Sequence, residues 1–180
     1  MARSVKISLV SLPTYPPDEP DRLAKTLLRM ETFVDEAARR QSALVAFPET
    51  CNYLHSGPTW AEAEAPDGPT LSAMRRKAAE HGIYVVCPLV LEEHGIRQNS
   101  AVLIGRDGEM AGVYRKNFLT HEELDEGVIP GTETPVFETD FGKLGLAICF
   151  DIFFREVGAG LAAGGAELVL WPSMPPGGRL

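Results

Sequence analysis

The chain has 180 residues, of which 44% are hydrophobic and 23% are charged. This length and this balance predict one folded domain with a sizeable core, and they exclude a disordered or membrane-embedded chain. The 17 basic and 25 acidic residues give a formal net charge of -8 without any basic cluster, so we expect no nucleic-acid partner.

The sequence also indicates where the protein resides and how its cysteines are used. The first residues lack the pattern of a signal peptide, and no segment approaches the roughly 18 to 20 apolar residues of a membrane span. Cys51, Cys87 and Cys149 are odd in number and show no C-x-x-C spacing, which argues against disulfides and a zinc site. We therefore expect a cytoplasmic protein with reduced thiols, in which Cys51 and Cys87 are structural or incidental.

In chain order, the first half alternates predicted strands and helices. Residues 5–11 alternate as a strand does, and residues 43–50 form a short apolar strand. Between them, residues 21–41 have the spacing of an amphipathic helix. The apolar stripe of this helix consists of Leu23, Leu27, Met30, Val34 and Ala37. A second helix covers residues 70–82 and ends at its terminal glycine.

The second half begins with three apolar strands that turn sequences separate, which predicts hairpins. These strands cover residues 83–93, 98–105 and 109–116. The later segments are a polar loop at residues 121–135, a strand at 143–151, a helix near 154–165 and a strand at 167–173. Because the strands are almost continuously apolar, both of their faces must be buried. The pattern therefore predicts an α/β domain whose sheets are covered by helices on one side.

Three reactive side chains stand at predicted strand ends, namely Glu49, Lys116 and Cys149. The carboxyl ends of buried strands are where α/β domains place their sites. Taken singly, each residue type usually has no catalytic role. A free cysteine is usually a buried core residue, and a lone glutamate or lysine is usually a solvated surface residue. Together they supply a base, a cation for an oxyanion and a thiol nucleophile, which are the parts that acyl transfer requires.

A histidine is the more common base for a cysteine, and it stays an alternative from the sequence. His121 is the best candidate among the four histidines, the others being His55, His81 and His94. Cys149 itself stands where a strand ends and a helix begins. Backbone N–H groups and the helix dipole are therefore expected to stabilise its thiolate.

The sequence LVAFPET surrounds Glu49, YRKNFL surrounds Lys116 and GLAICFDIFFRE surrounds Cys149. In this order and at this spacing, they resemble the three signature segments of the nitrilase superfamily of carbon-nitrogen hydrolases. The resemblance runs from the first strand to the last residue and includes WPS after the cysteine. It implies a four-layer α-β-β-α sandwich that needs no metal or organic cofactor, and association of the subunits into a homo-oligomer.

The resemblance also implies a role for each residue. Glu49 is the general base, Cys149 is the nucleophile that forms a thioester, and Lys116 stabilises the tetrahedral intermediate. The backbone N–H of Phe150 is the second donor to the oxyanion. The family's second glutamate, which orients the lysine and the substrate, falls at Glu123.

The alignment leaves two neighbours of Glu123 as alternatives, Glu122 and Glu126. The chain also departs from the family pattern, since Asn117 stands near the position where many members have a histidine. Family chains continue well beyond the position that corresponds to Leu180. Residues 1–180 are therefore expected to form a single carbon-nitrogen hydrolase domain that is incomplete at its carboxyl terminus.

These inferences predict a hydrolase that cleaves a non-peptide C–N bond of a small amide or carbamoyl compound and releases ammonia. The sequence CFD at the nucleophile is closer to amidase branches than to nitrilases. Nitrile hydrolysis by the same three residues is the alternative within the class. From other classes, the alternatives are an inactive fragment of this fold that binds without turnover, or a binding or scaffold protein.

Overall fold

Two β-sheets packed face to face, with helices on their outer sides, form the body of the protein. The computed structural model describes residues 4–13, 15–16, 18–53 and 62–174. The strands are β1 (Ile7–Leu9), β2 (Leu44–Ala46), β3 (Tyr84–Glu93), β4 (Ile96–Ile104), β5 (Met110–Arg115), β6 (Val136–Thr139), β7 (Gly142–Leu146) and β8 (Leu168–Leu170). The helices are α1 (Arg22–Arg39), α2 (Pro69–His81), α3 (His121–Asp125), α4 (Arg155–Ala163) and a 3-10 helix (Cys149–Phe153). No helix within the described ranges is long and apolar enough to cross a membrane.

The larger sheet has the strand order β1-β2-β3-β4-β5. Its first three strands run parallel, with α1 and α2 in the crossovers, whereas β3, β4 and β5 are joined as antiparallel hairpins. The smaller sheet has the order β6-β7-β8, in which β7 runs antiparallel to β6 and parallel to β8. The predicted hairpins of residues 83–116 are thus confirmed.

Apolar side chains fill the space between each pair of neighbouring layers of helices or sheets. α1 and α2 cover the outer face of the larger sheet through a cluster that includes Met30 and Leu71. The facing surfaces of the two sheets share a second cluster, which contains Leu44, Val86, Leu103, Tyr114, Leu144, Leu146 and Leu170. α4 covers the smaller sheet through Val157 and Leu161. The layer order is helix, sheet, sheet, helix, which confirms the expected α-β-β-α sandwich.

The strands are continuously apolar because each sheet is covered on both faces. In β3, Val85 and Cys87 belong to the cluster beneath the helices, whereas Val86 between them belongs to the cluster between the sheets. Successive strand residues point to opposite faces, so every residue of such a strand needs an apolar side chain.

Two elements lie where the sequence patterns predict none. α3 falls inside the predicted polar loop of residues 121–135, and β6 follows that loop. α3 has only five residues, too few for an apolar period to show. Its start is nevertheless a capping box, in which the Glu123 N–H donates to Thr120 Oγ1 and the Thr120 N–H donates to Glu123 Oε2. The Thr-x-x-Glu pattern was the signal for this helix.

The strand predicted at residues 143–151 is wrong in its second half. β7 ends at Leu146, and Cys149 already begins the 3-10 helix. The apolar run continues past the strand because the chain stays buried after strand pairing ends, as Ile148 is fully buried between the sheets. Burial, rather than strand pairing, produces the continued apolar pattern.

Leu146 provides a test of the layer between the sheets. Because it is fully buried there, we expect Leu146→Ala to lower the free energy of unfolding by about 3 kcal/mol. Leu28→Ala removes the same atoms from the outer side of α1, where Leu28 is 67% exposed, and should change stability by less than about 0.5 kcal/mol. Urea unfolding followed by circular dichroism measures both. Equal losses in the two variants would contradict a core between the sheets.

Candidate active site

A buried cluster of charges lies beyond the carboxyl ends of β2 and β5. Lys116 Nζ is 3.0 Å from Glu49 Oε1 and 2.9 Å from Glu123 Oε2. The exposed fraction of the side chain is 1% for Lys116, 2% for Glu49 and 0% for Glu123. Two carboxylates and one ammonium group enclosed in this way are costly to desolvate, so the cluster indicates function more than stability.

Main-chain hydrogen bonds fix Lys116 directly after β5. Its N–H donates to the carbonyl of Asn99 in β4, and its own carbonyl accepts from the N–H of Gly131. Burial lowers the pKa of Lys116, but the charges and hydrogen bonds of Glu49 and Glu123 outweigh burial and leave this pKa raised. The side chain is therefore an ammonium ion held between two carboxylates.

The short helix α3 brings Glu123 to the lysine. Glu123 Oε2 accepts hydrogen bonds from the Thr120 N–H at 2.7 Å and from Lys116 Nζ at 2.9 Å. The two alternatives considered from the sequence, Glu122 and Glu126, are exposed. The structure thus brings Glu123, and not its neighbours, to Lys116.

Asn99 is a member of this cluster that the sequence interpretation missed. Its Nδ2 donates to Glu49 Oε1 at 2.8 Å and to Glu123 Oε1 at 2.8 Å, so one neutral amide bridges both carboxylates. Asn99 is buried in β4, where the following residues Ala101 to Ile104 form the apolar core. Buried amides require partners. The available signal was an amide at the point of β4 where the apolar run begins.

Cys149 reaches the site from the smaller sheet. It begins the 3-10 helix with a φ of 43°, a left-handed conformation that side chains other than glycine rarely adopt. Burial and then the carboxylate of Glu49 raise the pKa of this half-buried thiol to about 11, although Lys116 lowers it. The expected stabilisation of a thiolate is therefore wrong. At neutral pH the thiol carries its proton, because burial and Glu49 outweigh the lysine.

Residues 171–174, which we call the post-β8 segment, join Cys149 to Glu49. The Met174 N–H donates to Glu49 Oε2 at 2.9 Å, and the Met174 carbonyl oxygen is 3.9 Å from Cys149 Sγ. The Cys149 N–H donates to the carbonyl of Pro172. One short segment thus contacts both the thiol and the carboxylate beside it.

A second missed residue, Asp151, connects the two sheets behind the site. Its Oδ2 accepts from the Tyr114 hydroxyl at 2.7 Å and from the Ile148 N–H at 2.9 Å. Its Oδ1 accepts from the N–H groups of Asn117 and Phe118 at 3.2 Å and 2.9 Å. Burial raises the pKa of Asp151 against the lowering effect of these donors. One carboxylate therefore holds both the end of the lysine strand and the turn that carries the thiol.

Within the described residues, no hydrogen bond or ion pair joins the other cysteines or the histidines to Glu49, Lys116 or Glu123. Cys51 and Cys87 are free and fully buried, with their Sγ atoms 3.8 Å apart. The exposed histidines among the described residues are His81, His94 and His121. His55 lies outside the described residues. The charged groups that shift the pKa of Cys149 are Glu49 and Lys116, so the structure favours the carboxylate over His121 as the partner of the thiol.

Among the described residues, one group brings three potential metal ligands together, and it consists of Asp35, Glu80 and His81. All three are exposed on α1 and α2. Lys77 Nζ lies 3.0 Å from Glu80 Oε2 and also pairs with Asp35. The lysine therefore already supplies a positive charge to these two carboxylates, and no metal ion is needed for that. We therefore assign no metal site to this group.

The sequence has relatives along most of its length. Residues 6–180 match the profile of a family described as carbon-nitrogen hydrolase. A nitrilase of Pyrococcus abyssi is 31% identical over 160 residues, which are 86% of this chain and 60% of the relative. An omega-amidase of Danio rerio is 31% identical over 159 residues, which are 83% of this chain and 57% of the relative. The chain thus spans less than two thirds of the length of these relatives.

The fold is also found in solved structures. An amidase from Nesterenkonia sp. superposes with a TM-score of 0.82 at 25% identity, over 95% of this chain and 65% of that chain. One variant of that amidase carries acrylamide on its active-site cysteine after Michael addition, and another variant is in complex with butyramide. The similarity includes nearly all of the present chain.

The raised pKa of Cys149 predicts an unusual pH profile of alkylation. Because the thiolate is the nucleophile, the rate with iodoacetamide should rise about tenfold per pH unit from about pH 7 and level off only near the thiol pKa of about 11. A cysteine with an ordinary pKa of about 8.5 levels off by about pH 10. Mass spectrometry of the folded protein measures the rate, with the fully buried Cys51 and Cys87 as slow internal controls. A plateau at about pH 10 or below, or equal labelling of all three, would contradict a thiol pKa raised by burial and Glu49.

Asp151 provides a test of the connection between the sheets. In Asp151→Asn, one of the two acceptor oxygens becomes an NH2 group that faces hydrogen-bond donors, so we expect a loss of about 2 to 3 kcal/mol in the free energy of unfolding. Tyr114→Phe removes only one of the four bonds, and should cost about 1 kcal/mol. Denaturant unfolding measures both. If Asp151→Asn is as stable as the wild type, these bonds do not hold the sheets together.

Proposed function

The chain belongs to the carbon-nitrogen hydrolase family, and from that premise we propose that it hydrolyses a small amide or carbamoyl compound through a cysteine thioester. The overall reaction for an amide is R–CO–NH2 + H2O → R–COOH + NH3. The buried cluster of Glu49, Lys116 and Glu123 lies beside the half-buried thiol of Cys149, and this arrangement is the main support for the proposal. A base, an ammonium ion and a nucleophile in one place are the parts of acyl transfer.

The two glutamates differ in the hydrogen bonds that they already accept, and this difference supports separate roles. Both oxygens of Glu123 accept two bonds each, from Asn99, Lys116 and the Thr120 N–H. Glu49 Oε2 accepts one bond among those of the described residues, from the Met174 N–H. A carboxylate oxygen has about two acceptor sites, so Glu49 Oε2 keeps one for a proton. Glu49 is accordingly the general base, and Glu123 holds the lysine.

In the first half-reaction, Glu49 takes the proton of the Cys149 thiol as the sulfur attacks the carbonyl carbon of the amide. Lys116 Nζ and the Phe150 N–H stabilise the oxyanion of the tetrahedral intermediate. Glu49 then gives its proton to the departing nitrogen, the C–N bond breaks and ammonia leaves. The product is a thioester on Cys149. A protonated resting thiol with a carboxylate beside it is the starting state that this sequence of steps requires.

In the second half-reaction, a water molecule takes the place of ammonia. Glu49 removes a proton from this water while its oxygen attacks the thioester carbonyl, and the same two donors hold the oxyanion. The C–S bond then breaks, the carboxylic acid leaves and the proton returns to Cys149. For a carbamoyl substrate, the acid formed is a carbamic acid, which decomposes to an amine and carbon dioxide.

Nitrile hydrolysis by the same residues is a second candidate, because the relative in Pyrococcus abyssi is named a nitrilase. In that case the thiol adds to the nitrile carbon, and water then converts the adduct to the acid and ammonia. The CFD sequence at Cys149 favours the amide over the nitrile. The two candidates share one site and differ in the substrate that is consumed.

We further propose a cytoplasmic homo-oligomer. The thiols of Cys51 and Cys87 have Sγ atoms 3.8 Å apart and form no disulfide, which suits a reducing compartment. Ile152 and Phe153 expose 52% and 76% of their surface next to the nucleophile, and neighbouring exposed apolar side chains favour association. Sedimentation velocity tests the oligomer. A monomer at micromolar concentration would contradict it.

Ammonia release from acetamide, butyramide, a simple N-carbamoyl amine and butyronitrile tests the proposed function. We expect turnover of amides or of the carbamoyl compound, and a loss of at least about 1,000-fold in kcat for Cys149→Ala. Glu123→Gln should lower kcat about 100-fold, because it weakens the hold on Lys116. The matched control is Glu122→Gln, an exposed neighbour on the same helix, which should stay within about twofold of the wild type.

The outcomes separate the candidates. Consumption of butyronitrile alone would replace the amide by the nitrile as substrate. Binding of butyramide without ammonia release would identify a binding protein of this fold. Equal effects of Glu123→Gln and Glu122→Gln would contradict the role given to the buried glutamate.

A further inference from the structure

The peptide group between Cys149 and Phe150 is held from its carbonyl side by an indole. Nε1 of Trp171, in the post-β8 segment, donates a hydrogen bond to the Cys149 carbonyl oxygen at 2.8 Å. Trp171 is 46% exposed, so its ring is only partly used for packing. The clearest contact of Trp171 is therefore its hydrogen bond to the backbone of Cys149.

This hydrogen bond acts on both ends of the same peptide group. A trans peptide is planar, and its C=O and N–H point in opposite directions. The carbonyl that accepts from Trp171 belongs to Cys149, and the N–H of that same plane belongs to Phe150. Fixing the oxygen therefore fixes the direction of the Phe150 N–H.

The backbone at this point needs such support. Cys149 has a φ of 43°, a conformation that costs a non-glycine residue energy and persists only where the surroundings enforce it. The N–H of Cys149 is held by the Pro172 carbonyl, at 3.0 Å. Its carbonyl is held by Trp171, so two consecutive residues of the post-β8 segment fix the two sides of Cys149.

We propose that Trp171 is a positioning residue for the oxyanion, because its indole N–H aims the Phe150 N–H at the substrate oxygen. This inference rests on the proposed function, in which the Phe150 N–H is the second oxyanion donor. The hydrogen bond of Trp171 goes to the backbone of Cys149 and not to its thiol. Its effect on the reaction passes through the one peptide plane that it holds.

The experiment removes the indole N–H and keeps the shape of the ring. Trp171 is replaced by β-(3-benzothienyl)alanine, in which sulfur stands in place of the N–H, and, in a matched control, by 5-fluorotryptophan, which keeps the donor. Trp171→Phe is the simpler genetic variant. Each protein is tested for kcat and KM with butyramide, alkylation of Cys149 by iodoacetamide, thermal melting and sedimentation.

We expect the benzothienyl protein to lose about 10- to 100-fold in kcat, since a misaligned donor fails in the transition state. Its KM, melting temperature, sedimentation and Cys149 alkylation should match the control, because alkylation forms no oxyanion. Wild-type kcat in the benzothienyl protein would overturn the inference. A parallel fall in alkylation and melting would also overturn it, since Trp171 would then only support the fold. If the wild-type protein itself releases no ammonia, the proposed function fails first.

Discussion

The ammonium group of Lys116 between two buried carboxylates is the interaction around which the site is arranged. Desolvating these charges costs several kcal/mol per ion unless hydrogen bonds compensate for the lost water. The compensating donors come from separate parts of the chain: Asn99 from β4, Thr120 from the start of α3, and Met174 from the post-β8 segment. The loops at this end of the sheets must therefore take conformations that place these three donors beside the carboxylates.

The packing of one sheet on the other sets the distance between the cation and the thiol. Lys116 follows a strand of the larger sheet, and Cys149 follows a strand of the smaller one. The apolar layer between the sheets fixes their separation, and Asp151 ties the two strand ends together with four hydrogen bonds. The apolar core and the carboxylate of Asp151 thus both hold Lys116 and Cys149 at a fixed distance. The core does so because close-packed interiors resist small displacements.

The electrostatics of the thiol follow from this arrangement. A cysteine paired with an imidazole can rest as a thiolate beside a cation. In this protein, burial and Glu49 raise the pKa of Cys149, so that the proton stays on sulfur at neutral pH. In the mechanism that we propose, the same carboxylate that disfavours the thiolate receives its proton, so deprotonation is coupled to attack on the carbonyl.

The resemblance of three segments to the nitrilase superfamily implied the four-layer fold and Glu123. The sequence by itself predicted an α/β domain and identified Glu49, Lys116 and Cys149 as candidate site residues, because apolar periodicity and the order of the strand ends are local properties. It also predicted the three hairpin strands. Those properties do not reveal which polar side chains meet. Asn99 lies in a strand and Asp151 in an apolar run, so neither has a local pattern that names its partners.

The tertiary structure decided the rest. It selected Glu123 over Glu122 and Glu126, since only one face of the short helix α3 is turned toward the buried lysine. It also decided that the thiol of Cys149 is protonated, which the helix start alone had argued against. A pKa depends on burial and on charges that approach through space, and Glu49, the charge that raises this pKa, stands far from Cys149 in the chain.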